Sequence, residues 1–284
     1  MIGIGIGIGL SRGYGGPRAS LALDFLTQSY RPGGFGSGLT FTRAGTATYI
    51  DATGAMQVAA ADQPRLNHDP VTLAPLGILI EGARTNLFLQ SGAPVTRTVT
   101  VTAQPYALSF RGAGSITLSG AHAATLTGPG GAARAGLVFT PTAGNLTLTV
   151  AGDVQMVQLE AGNHATSYIP TTTAPVTRAA DSLLVALGAW WPGAASGAIM
   201  AEFDCPPVAQ TAAIAYFNST SFQNSIGLTK SDALNNEPGT YLVGTMYDGA
   251  LALSLPLDMG LTSGPHRAAM SWGGGTMQAV ANGV

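Results

Sequence analysis

The sequence has little charge, one lysine and one cysteine. Charged residues make up 9% of the 284 residues, the net charge at pH 7 is −2, and Lys230 is the single lysine. Because a nucleic-acid-binding protein needs a basic patch to neutralise phosphates, this composition argues against nucleic acid as a partner. The single cysteine, Cys205, excludes an intrachain disulfide and is expected to behave as a small buried apolar residue.

Glycine and small apolar residues are abundant instead. The chain contains 39 glycines, and hydrophobic residues make up 46% of it. Disordered chains combine low hydrophobicity with high net charge, so this profile indicates a folded protein. Segments of strand length alternate with Gly- and Pro-rich turns, which predicts an all-β protein: an N-terminal extended arm and hairpin module followed by two β-sandwich (jelly-roll) domains.

The N terminus alternates isoleucine with glycine, at Ile2, Ile4, Ile6 and Ile8. A period of two places every isoleucine on one face of an extended strand. Glycine loses much conformational entropy on ordering, so this strand is expected to order only against a sheet edge or against copies of itself. We therefore expect residues 1–20 to be an anchoring arm; the alternative is an unanchored terminus.

Residues 21–91 are predicted to be a module of β-hairpins around which the chain is organised. Residues 46–50 and 55–59 flank a turn at 51–54 with glycine in its last position, and residues 65–68 and 76–81 form a second predicted pair. Three arginines and a glutamate lie in residues 41–91 of this module, although the chain has only twelve basic residues. Guanidinium groups tie carbonyls and carboxylates together, so these four residues are predicted to be structural clamps: Arg43, Arg65, Glu81 and Arg84.

Two stretches carry a family resemblance. Residues 41–91 resemble a module of tailed-bacteriophage structural proteins of the tail-fibre, tail-spike and head-fibre type. Residues 157–181 resemble the segment that closes the following β-domain in the same proteins, here residues 92–181, a carbohydrate-binding-like β-sandwich. The resemblance covers roughly residues 21–181 and implies a virion structural protein on the particle exterior, bound to other virion proteins through its N-terminal arm. It further implies a homotrimer that attaches to a host surface polysaccharide or receptor.

Residues 182–284 resemble a concanavalin-type, laminin-G-like jelly roll. The resembling domains continue beyond a turn like Asn282-Gly283, so we expect this jelly roll to be incomplete at residue 284. Residues 182–201 form an uncharged run long enough to span a bilayer. Pro192 and several glycines interrupt the run, so membrane insertion is not expected.

Candidate binding and catalytic residues lie in this last region. Aromatic faces and nearby polar groups recognise sugars, which makes six residues glycan-binding candidates, with core packing as the alternative: Trp190, Trp191, Tyr241, Tyr247, Asp248 and Trp272. A polysaccharide-cleaving tail spike needs two carboxylates facing one cleft, and Glu202 and Asp204 share a predicted strand face. We expect that face to be solvated and the protein not to be an enzyme.

No cofactor or metal is expected, because the four histidines lack the close spacing of a zinc site. The interpretation is therefore a fibre or spike component that binds rather than catalyses. One alternative is a purely architectural head-fibre or connector subunit, and another is a polysaccharide-cleaving tail spike.

Overall fold

The computed structural model describes residues 3–4, 22–31, 39–185, 197–204, 212–218, 224–234, 237–248, 252–259, 265–273 and 276–281. The regular secondary structure of these residues is β-strand throughout, which confirms the all-β class. Within the same residues there is no helix of the length and hydropathy needed to cross a membrane.

The strands before residue 186 are mostly short, as expected for a chain with so many turn residues. They are β1 (Gly3–Ile4), β2 (Ala22–Asp24), β3 (Ser29–Arg31), β4 (Leu39–Thr42), β5 (Ala47–Ile50), β6 (Met56–Ala59), β7 (Leu66–His68), β8 (Pro75–Leu79), β9 (Arg84–Asn86), β10 (Arg97–Val101), β11 (Tyr106–Arg111), β12 (Ser115–Gly120), β13 (Ala124–Thr127), β14 (Arg134–Phe139), β15 (Gly144–Ala151), β16 (Gln155–Ala161), β17 (Val176–Arg178) and β18 (Ser182–Val185).

The strands after residue 186 are longer. They are β19 (Gly197–Asp204), β20 (Ala212–Asn218), β21 (Asn224–Leu234), β22 (Glu237–Asp248), β23 (Ala252–Met259), β24 (Pro265–Gly273) and β25 (Thr276–Ala281). The chain divides into two compact units, one containing residues 41–183 and the other containing residues 2–40 and 184–284. Of the predicted hairpin module of residues 21–91, residues 41–91 lie in the first unit together with the predicted sandwich of residues 92–181, whereas residues 21–40 belong to the second unit.

Both predicted hairpins of residues 41–91 are confirmed. Strands β5 and β6 pair antiparallel from Ala47↔Ala59 to Ile50↔Met56, and β7 pairs with β8 at Leu66↔Ile78. In the first turn the amide of Gly54 donates to the Asp51 carbonyl at 3.0 Å. Gly54 has φ +81°, a conformation that glycine adopts at little cost, which is why glycine in the last turn position was an informative signal.

Residues 97–161 form two antiparallel sheets. One has the strand order β10-β15-β12-β13 and the other has the order β14-β11-β16. Buried side chains from both sheets join one apolar cluster, which includes Leu108, Phe110, Ile116, Leu148 and Val157. The sequence predicts seven strands in this region, and each is present with its ends shifted by up to two residues, because alternating apolar residues and Gly/Pro turns are strong local signals. The predicted ranges are 96–103, 106–110, 115–119, 123–127, 135–140, 145–150 and 154–160.

A short pair of strands, β9 and β17, has no local signal in the sequence. The pairing runs from Val176↔Asn86 to Arg178↔Arg84, so it joins strands about ninety residues apart in the chain. This pairing brings the end of the 157–181 segment next to the end of the 41–91 module.

In the second unit, β19 pairs antiparallel with β24 from Gly197↔Trp272 to Asp204↔Pro265. The sequence predicts a terminal hairpin of residues 266–272 and 277–281 around a turn at 273–275. This hairpin is confirmed, since β24 pairs with β25 from Ala268↔Ala281 to Gly273↔Thr276. Strands β20, β21, β22 and β23 form a separate antiparallel sheet in chain order.

Candidate functional site

The chain places much of its scarce charge in one buried network. Five side chains form it: Arg43, Arg65, Glu81, Arg178 and Asp181. Each lies at the end of a strand or in the loop next to one, where the backbone leaves the ladder and presents free carbonyl groups. Buried charges need partners because desolvation is costly, so the geometry of this network decides whether it is stabilising.

Arg65 lies at the centre of the network and is fully buried. Its Nη1 donates to Glu81 Oε2 at 2.9 Å, to the Thr48 carbonyl at 3.0 Å and to Ser167 Oγ at 2.8 Å. Its Nη2 donates to Asp181 Oδ2. One guanidinium therefore connects the first hairpin, the loop after β8 and residues 162–181. Residues 162–181, which follow β16, are called the closing segment below.

Asp181 and Glu81 are also joined through their backbones. The Asp181 amide donates to the Glu81 carbonyl at 2.9 Å, and the Glu81 amide donates to Asp181 Oδ2 at 2.8 Å. Asp181 Oδ1 accepts from Arg43 Nη1 at 3.1 Å. These reciprocal bonds hold residues one hundred positions apart in a single register.

Arg43 binds the loop that follows the first hairpin. Its Nε donates to the Gly45 carbonyl at 3.0 Å, its Nη1 to the Gln63 carbonyl at 3.2 Å, and its Nη2 to the Ala60 carbonyl. Gly45, Ala60 and Gln63 are exposed, so it is the buried guanidinium that needs these carbonyls as acceptors, and in return it fixes the path of the loops.

Glu81 is held in its charged form. Ser167 donates to it twice, from its amide to Oε1 at 2.7 Å and from its hydroxyl to Oε2 at 2.6 Å, and Arg178 Nη1 lies 3.1 Å from Oε2. Burial by itself raises the pKa of Glu81, but the charges of Arg178 and Arg65 and the bonds from Ser167 outweigh burial and lower the pKa to about 2.

The closing segment is fixed by a second set of buried polar side chains. Glu160 accepts from the Thr166 amide at 2.7 Å through Oε1 and from the Thr166 hydroxyl at 2.6 Å through Oε2. Gln158 donates to Glu160 Oε1 at 2.7 Å and accepts from the Ile169 amide at 2.7 Å. Residues 166–169 form no strand, and these side chains supply the hydrogen bonds that a sheet would otherwise provide.

Asn86 is fully buried and makes four hydrogen bonds. Its Nδ2 donates to the carbonyls of Val157 at 3.0 Å and Ile169 at 2.8 Å. Its Oδ1 accepts from the amides of Phe88 at 3.0 Å and Leu159 at 3.1 Å. One amide side chain thus connects β16, the closing segment and the end of the hairpin module.

The predicted clamp residues separate into two places. Arg43, Arg65 and Glu81 meet in the network, whereas Arg84 Nη1 donates to the neighbouring Ala83 carbonyl at 3.2 Å and Arg84 Nε lies 3.9 Å from Glu160 Oε2. Arg178 and Asp181 also belong to the network, and they were not among the predicted clamp residues. Their rarity in a chain with so few charges was the available signal, but their partners are far away in sequence.

Among the glycan-binding candidates, the structure describes the side chain of Trp272. It is buried, and its ring packs so closely on Gly197 that a Cβ at that glycine would lie 2.5 Å from a ring carbon. Tyr241, Tyr247 and Asp248 belong to β22, but their side chains are outside the described residues, as are Trp190 and Trp191 entirely.

Glu202 and Asp204 lie on one face of β19, opposite the buried Ala201 and Phe203. Glu202 Oε1 is 2.9 Å from Arg267 Nε, and the two side chains are 42% and 75% exposed. Within the described part of the chain, no group of three or more His, Cys, Asp or Glu side chains is placed to hold a metal ion.

The predicted anchoring arm is described at two residues. Gly3–Ile4 form β1, which pairs antiparallel with β19 at Gly3↔Asp204. The remaining isoleucines of the repeat, Ile2, Ile6 and Ile8, lie outside the described residues.

Comparison with known proteins gives no identification. No protein-family profile, curated protein or solved structure matches the chain.

Proposed function

We propose that this chain is a virion structural protein, a fibre or spike component of a tailed phage. Its N terminus anchors it to other virion proteins, and its β-domains attach the particle to a host surface. The observation that carries the proposal is the buried network, because it joins residues 41–91 to residues 157–181. These are the two stretches that resemble phage structural proteins.

The network suits a load-bearing junction. A disulfide within the chain is impossible and the hairpins of residues 41–91 are small, so neither a cross-link nor a large local core holds this region. Buried ion pairs contribute little net stability, but removal of one partner lowers the free energy of unfolding strongly. In some proteins such pairs also enforce a single geometry. A fibre that must hold its binding domain at a constant orientation needs that property.

The two sheets of residues 97–161 supply the outward domain in this proposal. Their shared apolar cluster supports a β-sandwich arrangement, and the strands of residues 197–281 are proposed to form a concanavalin-like jelly roll. Three copies on one fibre would bind multivalently, so each surface contact need only be weak.

The test is immunogold labelling of purified phage particles with antibodies raised against the full chain. We expect label on the exterior, at a fibre or spike. Particles from a mutant that lacks this chain serve as the control. The proposal is contradicted if wild-type particles carry no label and mass spectrometry does not detect the chain among their proteins.

A second candidate is a purely architectural head-fibre or connector subunit. The burial of Trp272 favours it, because a buried ring offers no face to a sugar. Adsorption of the purified chain to host cells distinguishes the two: binding that competes with phage adsorption supports attachment, and its absence together with exterior label supports the architectural role.

A further inference from the structure

A cleft lies beside the edge strand β10, and no residue of the buried network lines it. Its volume is about 350 Å³, which is within the range of small-molecule sites. Its apolar lining comes from four residues, namely Leu87, Leu89, Val99 and Pro175. The cleft therefore has room for one or two sugar rings and an apolar floor for a ring to lie on.

Arg97 brings a positive charge to this cleft. Its Nη2 donates to the side-chain oxygen of Gln90, and its buried Nε has no hydrogen-bond partner among the described residues. In the same part of the chain, Arg97 forms no ion pair. The buried Nε is out of a ligand's reach, but a guanidinium without an ion pair can offer its terminal nitrogens to a carboxylate, because its planar fork matches the two carboxylate oxygens.

One hydroxyl group completes the lining. Thr96 Oγ1 accepts from the Val150 amide at 3.1 Å, which leaves its own hydrogen available to a ligand. Thr98 also borders the cleft, but side chains alternate along β10, and the Thr98 hydroxyl pairs with Thr147 Oγ1 at 3.0 Å on the face opposite Arg97 and Val99. The cleft thus combines an apolar surface, a cation and a neutral hydroxyl.

We propose that this cleft binds a sugar acid, a uronic or sialic-type residue of an acidic surface polysaccharide. Arg97 binds the carboxylate, Thr96 binds a ring hydroxyl, and Leu89 and Val99 support the apolar face of the ring. This inference deepens the proposed attachment function and rests on it. It places recognition in the first unit, whereas the sequence pointed to aromatic residues near the C terminus.

The test is a titration of the full chain with a short oligogalacturonate, followed by NMR and calorimetry. We expect amide shift changes at residues 87–99. Methyl-esterified oligogalacturonate, which lacks the negative charge, is expected to bind about tenfold more weakly or worse, since hydrogen bonds between charged groups are the stronger ones. Arg97→Gln should lose binding by a similar factor, and Arg97→Lys should retain part of it.

Arg267→Gln is the matched control, because it removes an exposed arginine from the other unit and should leave binding unchanged. The inference is overturned if the wild-type chain binds the acid and its methyl ester with equal affinity, or binds neither. This measurement uses the wild type, so it does not depend on whether the variants fold. If wild type and Arg97→Gln adsorb equally to host cells, the cleft is not the attachment site although attachment itself stands. If the wild type does not adsorb, the attachment proposal fails independently.

Discussion

At the scale of single residues, a few of the chain's charged side chains lie where they cannot be solvated. Arg65 and the Asp181 side chain are fully buried, and Glu81 is nearly so. In contrast, the exposed pair between Glu202 and Arg267 is of the kind that contributes little. The two kinds of ion pair therefore predict very different responses to the same substitution.

Replacement of Arg65 by methionine should lower the free energy of unfolding by about 3–5 kcal/mol, because Glu81 and Asp181 would remain buried with too little positive charge. Urea unfolding at neutral pH measures the loss. The control is Arg267→Met, which should cost less than about 1 kcal/mol. Equal small losses for the two variants would contradict a structural role for the network.

The protonation of Glu81 predicts a dependence of stability on pH. Its pKa is about 2 in the folded chain and 4.5 ordinarily, so the unfolded chain binds more protons between these values. The stabilisation is fully present above about pH 4.5 and is lost as the pH falls through about 2.

Glu81→Gln removes this titration. The variant will be less stable at neutral pH, but its unfolding free energy should fall less between pH 7 and about pH 3 than that of the wild type. Hydrogen bonds from Thr53 and Gln57 lower the pKa of Asp51 to about 2. Asp51 titrates in both proteins, so its effect on stability cancels in the comparison. Parallel pH profiles would show that Glu81 is not held charged.

At the scale of elements, the closing segment matters most. Its residues 166–171 form no strand, yet five of them bond to buried side chains or backbone groups of other segments: Thr166, Ser167, Tyr168, Ile169 and Thr171. A segment held by side chains depends on each of them, because no ladder of backbone bonds remains if one is lost.

Replacement of Asn86 by leucine tests this dependence. The change leaves the carbonyls of Val157 and Ile169 and the amides of Phe88 and Leu159 without their partner, so a loss of at least about 2 kcal/mol is expected. Hydrogen exchange should accelerate at the Phe88 and Leu159 amides.

Asn145→Leu is the matched control, since Asn145 is exposed and its Oδ1 accepts a hydrogen bond from the Thr100 hydroxyl at 3.2 Å. Exchange at Phe88 and Leu159 should not change in this variant. If Asn86→Leu also leaves exchange at both amides unchanged, the segment is held by something other than the Asn86 side chain.

At the scale of the molecule, residues 41–183 contain both the buried network and the apolar cluster of the two sheets. A fragment of residues 41–183 should therefore fold alone and unfold cooperatively. A fragment of residues 41–156 lacks Ser167, Arg178 and Asp181 and should not form a stable structure. Circular dichroism with urea unfolding checks both, and equal stability of the two fragments would contradict the junction described above.

Local signals in the sequence determined the all-β class, both hairpins of residues 41–91 and the strands between residues 97 and 161. Alternating apolar residues, Gly54 and the regular Gly/Pro turns act over a few residues, and secondary structure responds at that distance. The scarcity of charge likewise marked Arg43, Arg65 and Glu81 for attention.

Tertiary structure alone decided which charges meet. Arg178 and Asp181 join Glu81 across about one hundred residues, and the β9–β17 pairing that brings them there has no local pattern. Arg84 lies close in sequence to Glu81 but is directed to Ala83 and Glu160 instead. Partner choice depends on chain topology, which short-range patterns do not encode, and that is the physical reason why the network and the cleft required the folded structure.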